Sequence, residues 1–291
     1  MLSAIRCYLL PIIKLHLLAL KVLLVQLLIR PFRLPGGRDE QEGLAAVRRI
    51  CEEYKEAKVE FTKLDLASLQ SVRQFVQSFK ERDLPLNILV NNAGVMLLPE
   101  GRTEDGFEQH FGVNYLGHFL LTWLLLDTLK DSGKCGYFSR VVNVCSSAHR
   151  IGEIRLNDLN SCQSYSAHAA YCHSKLAQLW FSSHLHQELQ CGGFPLSSCA
   201  VDPGMVDTAL YRHLWTPLRL AQSTIARLLF RTPAEGATTV LFAALSPVLE
   251  GGECGGGYWA NGHREMTTPT SFDPQLQLSL WETSIQLLGL Q

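Results

Sequence analysis

Beyond residue 36, blocks of apolar residues alternate between two spacings, one typical of amphipathic helices and one typical of short buried strands. The helical spacing predicts helices over residues 39–57, 68–82, 103–130, 167–189 and 233–245. The short apolar runs predict strands over residues 59–66, 87–90, 140–144, 196–201 and 257–260. Strands that alternate with helices of this length predict an α/β fold, a Rossmann-like doubly wound parallel sheet with helices on both faces. Because no repeat or low-complexity linker interrupts the pattern, we expect residues 34–291 to form one domain.

Polar residues and glycines follow four of the predicted strands directly. They are Asp65, Asn91-Asn92-Ala93-Gly94, Ser146-Ser147 and Asp202-Pro203-Gly204. Ligands of open parallel sheets bind beyond the carboxyl ends of the strands. The sequence therefore predicts a ligand site at this edge of the sheet.

Residues 7–29 differ from the rest of the chain, because nearly all of them are Leu, Ile, Val or Ala and a basic flank follows them. This length suits a bilayer helix, which needs about 20 apolar residues. Lys14 and Lys21 are seven residues apart and fall on one helical face, which favours a tilted helix or an interfacial anchor. A buried core helix is the alternative. We predict that residues 1–33 form a hydrophobic membrane-anchor segment.

The composition narrows the classes of function. A net charge of -1 supplies no field that would attract a polyanion, so we expect no nucleic-acid partner. Nine cysteines without a CxxC pair fit neither a disulfide framework nor a zinc site, and we expect reduced thiols in a domain that faces the cytosol. We interpret the histidines of the 167–189 helix as surface or groove residues rather than metal ligands, so we predict no metal site. These histidines are His168, His173, His184 and His186.

The sharpest chemical signal is the pair Tyr171 and Lys175, which are four residues apart and share one face of a predicted helix. A phenol with its usual pKa near 10 is a poor acid–base catalyst at neutral pH. A neighbouring ammonium stabilises the phenolate and lowers its pKa toward the working range. Taken alone, the pair is equally compatible with an ordinary surface helix.

Other polar residues strengthen this interpretation. Ser146 ends a predicted strand 25 residues before Tyr171, where its hydroxyl could bind a reacting oxygen. Asn114 interrupts a predicted helix, although asparagine is a mediocre helix former, and this suggests a buried polar task such as holding water in a proton relay. The turn over residues 91–94 can support a nucleotide, and Pro203-Gly204 with Thr208 offers a second backbone and hydroxyl platform.

The motifs NNAG, the helix asparagine, the strand-end serine, YxxxK and PGxxxT, in this order, resemble the short-chain dehydrogenase/reductase family over roughly residues 64–260. The stretches GVM at 94–96, NYLGHFLLT at 114–122 and AYCHSKLA at 170–177 are similar to its retinol dehydrogenase-like branch. The resemblance implies an oxidoreductase that uses NADP(H) or NAD(H) on lipid-like alcohols and aldehydes, such as retinoids or polyisoprenoids. It also implies the endoplasmic-reticulum membrane. The mostly apolar segment 210–231 corresponds to the family's substrate cover, although a membrane-touching helix or plain core is an equal alternative.

The resemblance also implies residue roles. Tyr171 becomes the general acid/base, Lys175 lowers its pKa and holds the nicotinamide ribose, Ser146 orients the substrate oxygen and Asn114 completes the relay. Ser147 replaces Ser146 if the register differs by one, because Cys145 precedes the pair where the branch usually has serine. The implied cofactor contacts are Arg38 at a 2′-phosphate, Asp65 at the adenine, Asn91, Asn92, Ala93 and Gly94 along the cofactor, and Pro203, Gly204 and Thr208 near the carboxamide.

The chain departs from the family at its start. A strand, a TGxxxGxG turn, a helix and a second strand should precede Arg38, yet Pro35-Gly36-Gly37 leads directly to it. About thirty residues, roughly one βα unit plus a strand, are missing, so we expect the sheet to lack its first βαβ unit. Two hypotheses stay open, a membrane-attached oxidoreductase and a catalytically impaired binding or regulatory protein. Whether the chain forms a homo-oligomer also stays open.

Overall fold

The computed structural model describes residues 38–206, 230–249, 255–267 and 273–290. The predicted membrane anchor, Thr208 and most of segment 210–231 lie outside these ranges. Within them, no helix combines the length and hydropathy needed to cross a bilayer. The elements in chain order are α1 (Arg38–Glu53), α2 (Leu69–Lys80), β1 (Ile88–Asn91), α3 (Gln109–Phe111), a π-helical turn (Gly112–Leu116), α4 (Gly117–Ser132), β2 (Ser139–Val144), a 3₁₀ turn (Ser147–Ile151), α5 (Ala167–Cys191), β3 (Leu196–Asp202), α6 (Pro233–Leu245), a second 3₁₀ turn (Pro247–Leu249), β4 (Tyr258–Ala260), β5 (His263–Glu265) and α7 (Pro274–Leu287).

The described strands form one sheet in the order β1-β2-β3-β4-β5. Strands β1 to β4 run parallel, and β5 is antiparallel to β4. The carboxyl ends of β1, β2 and β3 therefore meet at one edge of the sheet. This arrangement confirms the predicted α/β fold and brings Asn91, Val144 and Asp202 to that edge.

Helices cover both faces of the sheet, as the prediction of a doubly wound sheet requires. Leu89 and Val141 point to one face, where they join a large core with residues of α4 and α5 such as Leu121 and Leu179. Neighbouring strand positions point to the other face and pack against α6 in a smaller core. The smaller core contains Ile88, Val90, Val142, Val144, Cys199, Val201, Ala243, Ala244, Leu245, Leu249 and Trp259.

Helix α7, which the hydrophobic pattern did not predict, covers the outer side of α4 and α5. The Trp281 ring lies 4.9 Å from the Phe119 ring and 5.9 Å from the Phe181 ring, measured between centroids. The hydroxyls of Tyr115 and Ser284 are 2.7 Å apart and hydrogen-bonded. Asp273 caps the helix by accepting from the backbone N–H groups of Gln275 and Leu276. The helix thus completes an aromatic cluster that its own sequence does not reveal.

The strand predicted over residues 59–66 is wrong, because the structure has no regular element there. A strand needs a hydrogen-bonding neighbour, and in the described residues β1 is the last strand on that side of the sheet. Leu64 and Leu66 are nevertheless buried, and a Cβ at Gly117 would lie 2.7 Å from the Leu66 carbonyl oxygen. The segment therefore packs against the start of α4 as irregular chain.

The helix predicted over residues 103–130 begins later than expected, at Gln109. Gly106 adopts a φ of 87° in a turn closed by the hydrogen bond from the Thr103 N–H to the Phe107 carbonyl, at 2.8 Å. The Glu108 side chain then caps α3 by accepting from the N–H groups of His110 and Phe111. The helices predicted at 68–82, 167–189 and 233–245 are confirmed, and Ser68 caps α2 by accepting from the Ser71 N–H.

Candidate active site

Asn114 lies in the middle of the π-helical turn between α3 and α4 and is fully buried. Single π-helical turns inside longer helices occur frequently at functional sites. The Asn114 Oδ1 accepts from the Val95 N–H at 2.7 Å, and its Nδ2 donates to the Val95 carbonyl at 2.9 Å and to the Ser174 Oγ at 2.9 Å. Asn114 therefore joins the loop after β1 to α5, one residue before Lys175.

Lys175 lies on α5 and is 5% exposed. Its Nζ donates to the Val144 carbonyl at 2.8 Å, at the carboxyl end of β2, and to the Gln178 Oε1 at 3.1 Å. Burial lowers the pKa of Lys175 to about 8, although the nearby Cys145 and Asp202 act in the opposite direction. The site therefore contains a desolvated ammonium.

Gly94 lies beside this ammonium. A Cβ at Gly94 would lie 3.3 Å from the Asn114 Oδ1 and 3.7 Å from the Lys175 Nζ. A larger side chain here would occupy the approach to Nζ. The turn over residues 91–94 and the lysine, predicted separately from the sequence, are thus brought together.

Tyr171 is 6% exposed and precedes Lys175 by one turn of α5. The edge of the His110 ring meets the Tyr171 ring at a centroid distance of 6.5 Å. His110 is held on both sides, because its Nδ1 lies 2.7 Å from the Glu108 Oε1 and its Nε2 accepts from the Leu98 N–H at 3.2 Å. An accepting Nε2 carries no proton, so the Nδ1–H tautomer faces the carboxylate.

Ser146 follows β2 directly and is half-buried, whereas Ser147 is exposed. The Ser146 Oγ accepts from the Ala148 N–H at 3.2 Å. The turn that begins here packs against α5 beside Tyr171, since a Cβ at Gly152 would lie 2.6 Å from the Cys172 carbonyl oxygen. Of the two candidate serines, Ser146 is therefore the less exposed.

The third strand end carries Asp202. Its Oδ2 accepts from the Tyr258 hydroxyl at 2.7 Å, and its Oδ1 accepts from the Gly204 N–H at 2.8 Å. Gly204 has a φ of 79°, which favours glycine at this turn. Burial, and then the Asp202 carboxylate, raise the pKa of Tyr258. Pro203 and Gly204 thus follow a rigid strand end, while Thr208 lies outside the described residues.

The remaining predicted cofactor residues are distributed differently. The Asn91 side chain donates to the Thr122 Oγ1 and the Asn143 Oδ1, both at 2.9 Å, so its amide nitrogen serves the core. Asn92 is exposed and Ala93 is buried. Asp65 accepts from the Ala67 N–H at 2.9 Å in the turn before α2. Arg38 begins α1, far along the chain from the strand-end cluster.

Two residues of the site were not predicted from the sequence. Gln178 contacts the Lys175 ammonium and is fully buried. His149 is buried after β2, its Nδ1 lies 2.7 Å from the Ser146 carbonyl oxygen, and its ring meets the Tyr258 ring at 4.8 Å. The spacing of Gln178, one helical turn beyond Lys175, is a signal that the sequence does contain.

The described residues contain no group of His, Cys, Asp and Glu side chains that could hold a metal ion. They also contain no strand–glycine turn–helix unit before β1. The cluster at the strand ends consists of one buried ammonium, tyrosine and serine hydroxyls, the Asp202 carboxylate, the His149 ring and amide groups.

Comparison with known proteins places this chain in a family. A family model described as short chain dehydrogenase matches residues 36–218. The polyprenol dehydrogenase of Danio rerio is 49% identical, over 96% of this chain and 97% of its own length. The human retinol dehydrogenase 12 is 41% identical, over 87% of this chain and 77% of its own length.

The match to the Danio rerio protein runs over 315 positions, which exceeds the 291 residues of this chain by 24. At least that many positions of the relative therefore have no counterpart here.

Solved structures with a similar fold support the same family assignment. A protein of Mycobacterium paratuberculosis has a TM-score of 0.67 at 34% identity and covers 87% of this chain and 82% of its own. An NADPH-bound carbonyl reductase from chicken fatty liver has a TM-score of 0.56 at 20% identity, with coverages of 82% and 87%, and supports the fold alone. The chain therefore belongs to the short-chain dehydrogenases, a family of oxidoreductases.

Proposed function

We propose that this chain is a membrane-associated, NAD(P)-dependent oxidoreductase that interconverts a lipid-like alcohol and its aldehyde or ketone. The observation that carries the proposal is the buried Lys175 ammonium one helical turn from Tyr171, next to Gly94. Polyisoprenoids and retinoids are the substrate classes we favour, because the relatives include a polyprenol dehydrogenase and a retinol dehydrogenase.

The nicotinamide half of a cofactor fits the residues present. An ammonium has three N–H donors, of which Lys175 directs two to Val144 and Gln178, so one remains for a ribose hydroxyl next to Gly94. The bound cofactor would accept or donate the hydride. The pyrophosphate half lacks its usual partner, since no strand–glycine turn–helix unit precedes β1 in the described residues. Arg38, Asp65, Asn92 and Thr208 would supply the outer contacts.

Tyr171 exchanges the proton of the alcohol oxygen in this proposal. Lys175 stabilises the phenolate, because an ammonium in a desolvated environment interacts more strongly with a nearby negative charge than it would in water. Ser146 supplies a hydroxyl to the same substrate oxygen and fixes its direction. Positioned acid–base catalysis of this kind contributes about 10²–10⁴-fold to a rate.

Asn114 holds the relay residues in place through its bonds to Val95 and Ser174. Its own carbonyl lies 3.0 Å from the His118 Nδ1. Burial lowers the pKa of His118 to about 4, so this ring is neutral at physiological pH and leaves Lys175 as the cation of the site.

The anchor predicted at residues 1–33 would attach the domain to the endoplasmic-reticulum membrane, with the catalytic domain in the cytosol. A membrane location suits a substrate that partitions into lipid. The alternative, a catalytically impaired binding or regulatory protein, follows from the missing βα unit alone.

The test is turnover by the full chain in the membranes of the cells that express it. We expect oxidation of a polyprenol or retinol with NADP⁺ or NAD⁺, and its loss in Lys175→Met. Absence of turnover, both in this chain and in a version with the glycine turn restored, would favour the binding or regulatory role instead.

A further inference from the structure

Gln178 joins two strand ends through one amide group. It is fully buried on α5, three residues after Lys175. Its Oε1 accepts from the Lys175 Nζ at 3.1 Å, and its Nε2 donates to the Asn91 carbonyl at 3.3 Å. Since Nζ also donates to the Val144 carbonyl, the ends of β1 and β2 and the lysine form one connected group.

A buried ammonium needs such acceptors, because it has lost its water shell. Val144 and Gln178 provide two acceptors in different directions, and together they restrict the rotation of the ammonium. The third N–H is then the one left for a ligand beside Gly94. Without Gln178, the ammonium would have one fixed acceptor and could turn about it.

We propose that Gln178 is a positioning residue for the dehydrogenase reaction, because it holds the Lys175 ammonium at the distance and orientation that the site needs. This inference rests on the proposed function. Gln178 need not touch the substrate or the cofactor, and it acts through Lys175.

The neutrality of Gln178 is part of this role. The other titratable groups around Lys175 are Cys145 after β2, Asp202 at the end of β3, His118 on α4 and Tyr171 on its own helix. Burial raises the pKa of Cys145 to about 12 and lowers that of His118 to about 4, so both are neutral at pH 7. A carboxylate in place of the Gln178 amide would add a direct counter-charge and raise the pKa of Lys175 above its present value of about 8.

The experiment compares Gln178→Met, which keeps the length and removes the acceptor, with Gln178→Glu, which keeps the acceptor and adds charge. Ser182→Ala is the matched control, because Ser182 is also buried on α5 and its Oγ lies 3.1 Å from the Ser198 Oγ. The full chain in detergent micelles, labelled with ¹³C at the lysine ε-carbons, is titrated by NMR, and Lys175→Met assigns the signal. The pH profile of kcat is measured on the same proteins.

We expect the Lys175 midpoint to fall in Gln178→Met, to rise in Gln178→Glu and to stay unchanged in Ser182→Ala. At pH 7, kcat should fall about tenfold in Gln178→Met with little change in KM, as expected for a lost bond to a charged group. The limb of the profile that follows Lys175 should move with the midpoint. Equal midpoints in Gln178→Met and Ser182→Ala, or equal losses of kcat, would overturn the inference. If neither the parent chain nor a version with the glycine turn restored turns over substrate, the proposed function fails, while the titration still decides whether Gln178 controls Lys175.

Discussion

The side chain of Asn114 pairs with the backbone of Val95 in both directions, accepting from its N–H at 2.7 Å and donating to its carbonyl at 2.9 Å. This is the hydrogen-bond pattern that a neighbouring strand would offer. The Asn114 side chain thus makes the hydrogen bonds that a neighbouring strand would make with the chain after β1. In the described residues, no strand lies beside that part of the chain. Asn114 thus helps to fix the position of the loop that carries Gly94.

Replacing Asn114 by leucine should therefore destabilise the fold and displace the loop. Two buried backbone groups of Val95 would lose their partners, at about 1–3 kcal/mol each. Urea unfolding measures the loss. Ser174→Ala, which removes only one of the three bonds of Asn114, should cost clearly less. Equal losses in the two variants would argue against the pairing.

Tyr171→Phe should abolish most turnover without unfolding the chain. The ring still packs against His110, while the proton-exchanging oxygen is gone, so kcat should fall about 10²–10⁴-fold. Tyr165→Phe is the control, because Tyr165 also loses a hydroxyl that donates to a carbonyl, that of Leu98 at 2.8 Å. Comparable activity in Tyr171→Phe and in the parent chain would mean that another group moves the proton.

Lys175 should give the stability a distinct dependence on pH. Its pKa is about 8 in the folded chain and near 10.5 in the unfolded chain, so between these values the unfolded state binds more protons. The free energy of unfolding should therefore rise with pH across this window by an amount on the order of 3 kcal/mol from this group. Urea titrations at pH 7.5, 9 and 10.5 are compared with the same series for Lys175→Met. Parallel curves for the two chains would contradict the buried, charged lysine.

Cofactor binding should be weak in the 291-residue chain and strong once the missing segment is supplied. Several charge-assisted hydrogen bonds to the pyrophosphate are lost with the glycine turn, which reduces affinity by orders of magnitude. Inserting a strand–TGxxxGxG–helix–strand segment before Arg38 should restore NADP(H) binding, measured by NADPH fluorescence. The same insertion with its glycines changed to alanine is the control. Micromolar binding by the chain without an insertion would show that this expectation is wrong.

Membrane attachment is tested by deletion. Removing residues 1–33 should move the protein from the membrane pellet to the supernatant, because about 20 apolar residues leave with the segment. A deletion of equal length cannot be made inside the domain without unfolding it, so a Lys14→Leu and Lys21→Leu double variant, which should pellet at least as fully, is the comparison. A parent chain that already stays in the supernatant would assign the segment to a core.

The sequence predicted those elements whose signal is local. The Pro233–Leu245 helix has its cap and its proline within one turn of each other. Tyr171 and Lys175 are recognisable because they are four residues apart on one helix. Residues 59–66 have the composition of a strand, yet a strand exists only beside a partner, and the sequence offers no local sign of which partner is present.

The contacts of the site were less accessible for the same reason. Gln178 contacts the backbone carbonyl of Asn91, and His149 contacts that of Ser146. Every residue carries the same backbone carbonyl, so the sequence does not mark these partners. Only the packing of α5 over the sheet determines which carbonyl a buried side chain meets. The pairing of Lys175 with Tyr171 was therefore predictable from the sequence, but the backbone carbonyls that the surrounding side chains contact were not.

The aromatic cluster beneath α7 has a consequence for the synthesis of the protein. Trp281 is synthesised 100 residues after Phe181 of α5, against whose ring it packs. During that interval, about 5–20 seconds at ordinary rates of synthesis, the apolar rings of α4 and α5 are not covered by α7 and can bind chaperones or other nascent chains. The apolar rings of α4 and α5 are thus covered only after α7 has been synthesised.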